Sequence, residues 1–287
     1  MYESIIESIR RKKVGIDLFD QPLKAVELKK GIYINETMEN FYNKMPPEFK
    51  SQKQKDIFSS LKYWGDFEIL RQIFKYAYKN LGTNILGSSM IVSLPYDLKE
   101  DKLGEVWMRM IIDVAMEQKW REVYIADNYF CAALGVGIPA NDVGEDGLTR
   151  KNIFIYATSW CTYAGIVFAG SLFHMKIINK NYNEITIDEI KSKIEEIKGE
   201  LSHRLPEHFK NVHVDENELE KLRLGWKLQM GRKIHLAVPR KKRYEFGSSM
   251  EDYQFVYADD YEGCIINGLR TLLSELDNMK RARPVRK

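Results

Sequence analysis

Cysteine and histidine are too scarce in this 287-residue chain to brace it covalently or to build a metal centre. The three cysteines, Cys131, Cys161 and Cys264, are odd in number and far apart, which excludes a disulfide framework and suits a reducing cytoplasm. Five histidines are present: His174, His203, His208, His213 and His235. His203 and His208 are five residues apart with Pro206 between them, a spacing that does not set two ligands on one helical face, so no metal is expected. Ser159 lacks the Gly-x-Ser-x-Gly surroundings of a hydrolase nucleophile. In the opening MYESIIESIRRKK the apolar residues precede the charges, the reverse of the order in a secretory leader.

An excess of one charge is lacking too, because the net charge is only +3. The distribution is less even. Residues 280–287 hold five basic residues (Lys280, Arg281, Arg283, Arg286, Lys287) and no acid, which leaves the rest of the chain at −2. A second basic run spans Arg240 to Arg243. Both read as solvated loop and tail, or as contacts for a membrane surface, nucleic acid or an acidic protein face. Aromatic residues are plentiful, with 16 Tyr, 13 Phe and 5 Trp, but they do not alternate with basic ones, so nucleic acid is not the expected partner. Trp64, Trp107 and Trp226 are candidate partner contacts, since Trp is enriched in binding hot spots. Residues 153–173 form a run of 21 without a charge, long enough to cross a bilayer. Its β-branched and aromatic residues, broken by Ser, Thr and Gly at strand-length intervals, predict two or three buried strands instead.

Hydrophobic periodicity organises the remainder. Residues 14–18, 23–28 and 31–35 read as short strands, 43–56 as a loop with two prolines, and 66–81 as a helix. A buried strand from Met90, a helix over 99–119 with Val106, Met110, Ile111, Val114 and Ala115 on its apolar side, a strand 123–126 and a small-residue helix 129–136 follow. Residues 140–152 are the clearest linker, after which strands in 153–178, a helix 186–203, a mixed region 204–256 and a helix 258–278 complete the chain. Two such rounds predict an α/β protein of two related lobes. Before the first strand, Tyr2, Ile5, Ile6 and Ile9 share one helical face beside Arg10, Arg11, Lys12 and Lys13. That pattern serves either as an interfacial membrane anchor or as a helix packed on the body.

Several segments, in order, resemble the bacterial actin homologue MreB. RRKKVGIDLFDQPLKAVEL resembles that family's basic lead-in and first strand, and MIVSLPYDL (90–98) its strand ending in Val-Pro. The most specific match is Arg121 to Pro139, REVYIADNYFCAALGVGIP, where the family reads Arg-Glu-Val-x-Leu-Ile-Glu-Glu-Pro-Met-Ala-Ala-Ala-Ile-Gly-Ala-Gly-Leu-Pro. The resemblance implies the two-lobed α/β fold of actin, Hsp70 and sugar kinases, with lobe I over 1–146 and lobe II over 147–287. Residues 186–256 would form an inserted subdomain and 280–287 a basic tail. It runs to about residue 279 and stops before the family's last Gly-rich turn, which implies a C-terminally shortened version.

In that family two Gly-rich hairpins hold the phosphates of ATP with backbone N–H groups, while acidic residues hold Mg²⁺ and place the attacking water. Here Asp17 keeps the first acid, but Phe19 and Asp20 stand where the family has Gly-Thr. The second hairpin, Asp-Ile-Gly-Gly-Gly-Thr-Thr, is replaced by Tyr156-Ala-Thr-Ser-Trp-Cys-Thr162, which puts Thr158, Ser159 and Trp160 in the phosphate loop. The acidic pair becomes Asp127-Asn128, the later Gly-Gly-Asp turn Asn179-Lys180-Asn181, and the helical Glu near the nucleoside falls at Gly225. Asp17 and Asp127 read as catalytic remnants or as plain polar residues at strand ends. The resemblance thus implies a pseudo-ATPase with no cofactor, in place of an enzyme using ATP and Mg²⁺. Its expected partners are its own copies and other cytoskeletal or membrane-complex proteins, in the cytoplasm or at the inner face of the membrane. Phe19 and Trp160 are expected to fill the nucleotide space. The alternatives are a divergent ATP-dependent filament protein and an adaptor subunit of a pilus or secretion machine.

Overall fold

The computed structural model describes residues 12–18, 23–29, 31, 33–49, 67–82, 87–94, 104–138, 151–168, 171–203, 230–250 and 253–281. Contacts divide the chain into two units, Met1–Cys131 with Ile265–Lys287, and Ala132–Cys264.

In the first unit the strands are β1 (Lys12–Asp17), β2 (Leu23–Glu27) and β3 (Tyr33–Glu36), followed by helix α1 (Met38–Lys44) and a short 3₁₀ turn, Pro47–Phe49. Helix α2 (Phe67–Ala77) ends in a π-helical turn, Tyr78–Gly82. Then come β4 (Ser88–Leu94), α3 (Gly104–Glu117), β5 (Trp120–Asp127) and α4 (Asn128–Gly135). The sheet order is β3-β2-β1-β4-β5, with β1, β4 and β5 parallel to one another and β2 and β3 antiparallel additions. Every residue of β4 is buried, as a central parallel strand covered on both faces must be. Ile69, Leu70, Ile73, Phe74 and Ala77 of α2 pack into the same core as Val14, Ile16, Met90 and Val92. Trp120 is buried against it, its Nε1 donating to the Phe74 carbonyl at 3.3 Å.

Met110, Ile111, Val114 and Ala115 of α3 face this core, but Val106 is 63% exposed, contrary to its expected place on the apolar side. In that first turn Trp107 and Met108 make the packing contacts. The stripe runs through Trp107, Ile111 and Val114, and at 100° per residue Val106 falls on its outer flank. Trp107 is thus a core-packing residue, while Trp64 and Trp226 lie outside the described residues.

The second unit contains β6 (Lys151–Ala157), β7 (Thr162–Phe168), β8 (Ser171–Ile178), α5 (Ile187–His203), β9 (Met230–Ala237), α6 (Arg240–Phe246), β10 (Ser249–Met250) and β11 (Tyr253–Tyr257). Its sheet order is β10-β11-β9-β6-β7-β8, with β6, β9 and β11 parallel. The long uncharged stretch becomes β6, β7 and the start of β8, and among the described residues no helix is long and apolar enough to cross a membrane. Ile190, Ile194 and Ile197 line one face of α5 and pack on Ile153, Ile155 and Ile166. Thr186 caps this helix, as the Thr-x-x-Glu pattern requires. Its N–H donates to Glu189 Oε2 at 3.0 Å, and its Oγ1 accepts the Glu189 N–H at 3.4 Å. Lys176 on β8 bridges to Glu200 (2.6 Å) and Glu196 (3.3 Å) of the same helix.

The chain then passes into α7 (Cys264–Arg281), which belongs with the first unit from Ile265 onward. This differs from the sequence-based division, which gave the last helix to the second lobe and drew the boundary at residue 146. The reason is packing. A Cβ on Gly15 of β1 would lie 2.9 Å from Leu269 Cβ, so α7 rests directly on the first sheet, and Lys13 Nζ donates to the Leu273 carbonyl at 3.2 Å. Gly268 permits a still closer crossing with α4, since a Cβ there would stand 1.7 Å from the Cys131 carbonyl oxygen.

Helix propensity alone predicts that Gly268→Ala gains about 1 kcal/mol. The crossing predicts the opposite, a loss of about 1–3 kcal/mol from overpacking, which urea denaturation would measure. Lys151 is fully buried at the start of β6, and burial lowers its ammonium pKa to about 7. The folded state therefore binds fewer protons than the unfolded one between about pH 7 and the ordinary lysine range, so stability should rise with pH across that window. Lys151→Met should remove this slope, about 1.4 kcal/mol per pH unit at most, and so stabilise the protein more at pH 7 than at pH 9.

Candidate functional site

The predicted acids sit at the carboxyl ends of two parallel strands, β1 and β5, with β4 between them. Asp17 of β1 is the register partner of Ser93 on β4, and Leu94 is the partner of Asp127 on β5. Asp17, Ser93, Asp127 and Asn128 are all buried, so this edge of the first sheet carries an unusually polar interior. Ser93 Oγ donates to Asp17 Oδ1 at 2.8 Å. Asp127 Oδ1 accepts the backbone N–H groups of Tyr129 (3.0 Å) and Phe130 (3.3 Å), the role of an N-cap at the start of α4. The Asn128 side chain is fully buried, and neither its Nδ2 nor its Oδ1 has a hydrogen-bond partner among the described residues. A buried amide in that state suits a bound water or a ligand group.

The second predicted loop is the turn between β6 and β7, and its polar groups are satisfied from within. Thr158 N–H and Thr158 Oγ1 both donate to the Cys161 carbonyl, each at 2.8 Å. The same hydroxyl oxygen accepts the N–H groups of Trp160 (3.3 Å) and Cys161 (3.1 Å). This is a Thr-driven turn in which a side-chain oxygen occupies the backbone donors that a glycine-rich loop would leave open. Ser159 is exposed and Trp160 half-buried.

The turn after β8 is tied to this one. Tyr182 N–H donates to the Thr158 carbonyl at 2.8 Å, and Thr162 Oγ1 to the Lys180 carbonyl at 2.9 Å. Within it, Lys180 N–H bonds the Ile178 carbonyl at 2.7 Å, and Asn181 N–H bonds Glu184 Oε2 at 3.2 Å.

The structure thus brings Asp17 and Asp127 to one edge of the first unit, and Thr158, Ser159 and Trp160 into one turn of the second. Phe19 and Asp20 lie outside the described residues, as do Gly225 and the membrane-contact candidates Tyr2, Ile5, Ile6, Ile9, Arg10 and Arg11. Among the described residues no group of three His, Cys, Asp or Glu side chains could hold a metal ion. His174 instead pairs with Glu200, Nε2 to Oε2 at 2.9 Å. Sequence reasoning missed Ser93, the buried amide of Asn128 and the bonding role of Thr158. A small polar residue inside the apolar run from Met90 to Leu94 was the available signal for the first.

No protein-family model matches the chain, and no curated protein matches it in sequence. Solved structures do. MreB5 of Spiroplasma citri bound to AMPPNP superposes with a TM-score of 0.58 at 14% identity, over 95% of this chain and 99% of that one. MreB5 bound to ADP gives 0.57 at 13% identity over the same shares. The apo psk41 ParM protein gives 0.50 at 11% identity, over 94% of this chain and 99% of that one. At these identities the likeness is one of fold, and the chain has the α/β actin-like fold of MreB5 and ParM.

Proposed function

We propose that this protein is an actin-like cytoskeletal or scaffolding protein that assembles, or docks on a filament or membrane complex, without using nucleotide. The observation that carries the reading is the Thr158–Cys161 turn. Close approach of phosphate needs open backbone N–H groups and no bulky side chains. In this turn the donors of Thr158, Trp160 and Cys161 are bonded internally, and Trp160 replaces a glycine. The cap on α4 takes up Asp127 Oδ1, which leaves that oxygen poorly placed for positioning water. These residues do not fit ATP held in the manner of actin-like ATPases. Without a γ-phosphate switch, assembly is set by concentration, by a partner or by a surface.

One observation favours a second reading, a divergent ATP-dependent filament protein. The unsatisfied Asn128 amide lies at the same sheet edge as Asp17 and Ser93, where a ligand group could complete it. MreB5, the similar protein, is bound to AMPPNP and to ADP in its structures.

The two readings part in a melting experiment. A ligand at about 100 times its dissociation constant adds roughly 2.7 kcal/mol. Millimolar MgATP is expected to leave the melting temperature at its value in Mg²⁺ alone, and a clear rise specific to the nucleotide overturns the nucleotide-independent reading. Negative-stain microscopy should show the same polymers with and without ATP; filaments only with ATP favour the second reading, and none in either favours an adaptor subunit. Thr158→Val removes the hydroxyl at nearly constant shape. It should lower stability by about 1–3 kcal/mol, the cost of leaving the turn's donors unmatched, and should not create ATP binding.

A further inference from the structure

The basic run Arg240–Arg243 is divided by α6 into two pairs. Lys242 and Arg243 turn inward. Lys242 Nζ donates to the Ile185 carbonyl at 3.2 Å and pairs with Glu245 at 2.6 Å. Arg243 donates to the Ala258 carbonyl, and its guanidinium carbon lies 5.8 Å from the centre of the Tyr257 ring. Arg240 and Lys241 are exposed. Tyr244 lies one turn further along the same face and is 76% exposed, more than any other large apolar side chain among the described residues.

Ala258, held by Arg243, opens the segment 258–263, ADDYEG, which contains three acids and no cation. Asp259, Asp260 and Glu262 are exposed. Tyr261 turns inward, its hydroxyl donating to the Ala157 carbonyl at 2.8 Å, and Asp260 Oδ1 accepts the Gly263 N–H at 2.9 Å. Two exposed cations with a tyrosine and three exposed carboxylates therefore lie side by side on the second unit, with Arg243 joining the elements that carry them.

Neighbouring patches of opposite sign are complementary to themselves about a two-fold axis, because a half-turn lays each on the other's counterpart. We propose that a second copy of this chain docks here, α6 of each copy against residues 258–263 of the other, with Tyr244 near the centre. Tyr and Arg are the residue types most enriched where interfaces concentrate their binding energy. A stable dimer covers about 800 Å² on each partner, more than one short helix and one loop supply. The contact is therefore weak alone and salt-sensitive, and it gains strength when other contacts hold many copies together. The inference rests on the reading that the chain self-assembles, and it adds the surface.

Two charge-reversal variants test it, R240E/K241E and D259K/E262K, with thermal melts confirming that both fold. Sedimentation velocity over a range of concentrations, at about 50 mM and about 500 mM salt, reads the association. Each variant alone should associate about tenfold more weakly than the wild type at low salt, since like charges then face each other in both halves of the contact. Mixed with one another, the two variants should recover to within about threefold, because every reversed patch then meets its complement. Undiminished association of either variant alone overturns the proposal, and so does a mixture that fails to recover. Microscopy of the variants separates this from the wider reading. Polymers that persist in variants with undiminished association leave self-assembly standing and remove only this surface, whereas a wild type that neither dimerises nor polymerises removes both.

Discussion

A helix can lie directly on a strand only where the strand gives up its side chain, and Gly15 is where β1 does so. Through that gap α7 reaches the first sheet, with Leu269 and Leu273 against β1 and Lys13 bonding the Leu273 carbonyl. Gly268 on the same helix allows the crossing with α4 at Cys131. The first unit is therefore finished only after the chain has built the whole of the second. The unit limits at Cys131 and Ile265 fall within α4 and near the start of α7.

The two units handle buried polarity differently, and that difference bears on function. At the end of the first sheet the polar side chains are buried in the fold. Ser93 bonds Asp17, Asp127 caps α4, and the Asn128 amide has no partner among the described residues. In the second unit the corresponding loops close on themselves. The Thr158 hydroxyl collects backbone donors, and Tyr182 and Thr162 lock two turns together. A loop whose amides are already bonded has little to offer an anion, because displacing those bonds costs as much as the new ones return.

Charge follows a similar division between packing and presentation. Four consecutive basic residues in the sequence look like one patch. On α6 they become two anchors, Lys242 and Arg243, and two exposed cations, Arg240 and Lys241. Helical rotation by 100° per residue does the sorting, so a run of like charge on a short packed helix presents only part of its charge to a partner.

Much of the frame was legible in the residues. The strand pattern of 153–178 spoke against a membrane helix because β-branched and aromatic residues with turn breaks suit buried strands. The buried strand around Met90 was readable as a short continuous apolar run and the isoleucine stripe of α5 from a period of about 3.6, which depend only on local sequence. That Thr158, Ser159 and Trp160 stand where the resembled family has glycines was visible as well, since the residue at a position is a fact of sequence. Distance along the chain hid the rest. That α7 packs against β1, that Tyr182 and Thr162 tie the turn at Thr158 to the turn after β8, and that Arg243 joins α6 to the acidic segment at Ala258 all depend on residues brought together from separate elements. The sequence by itself determined the elements and the residue types in their loops. Only tertiary structure decided which groups the remaining donors and charges would meet, because those partners are set by packing between elements and not by spacing within them.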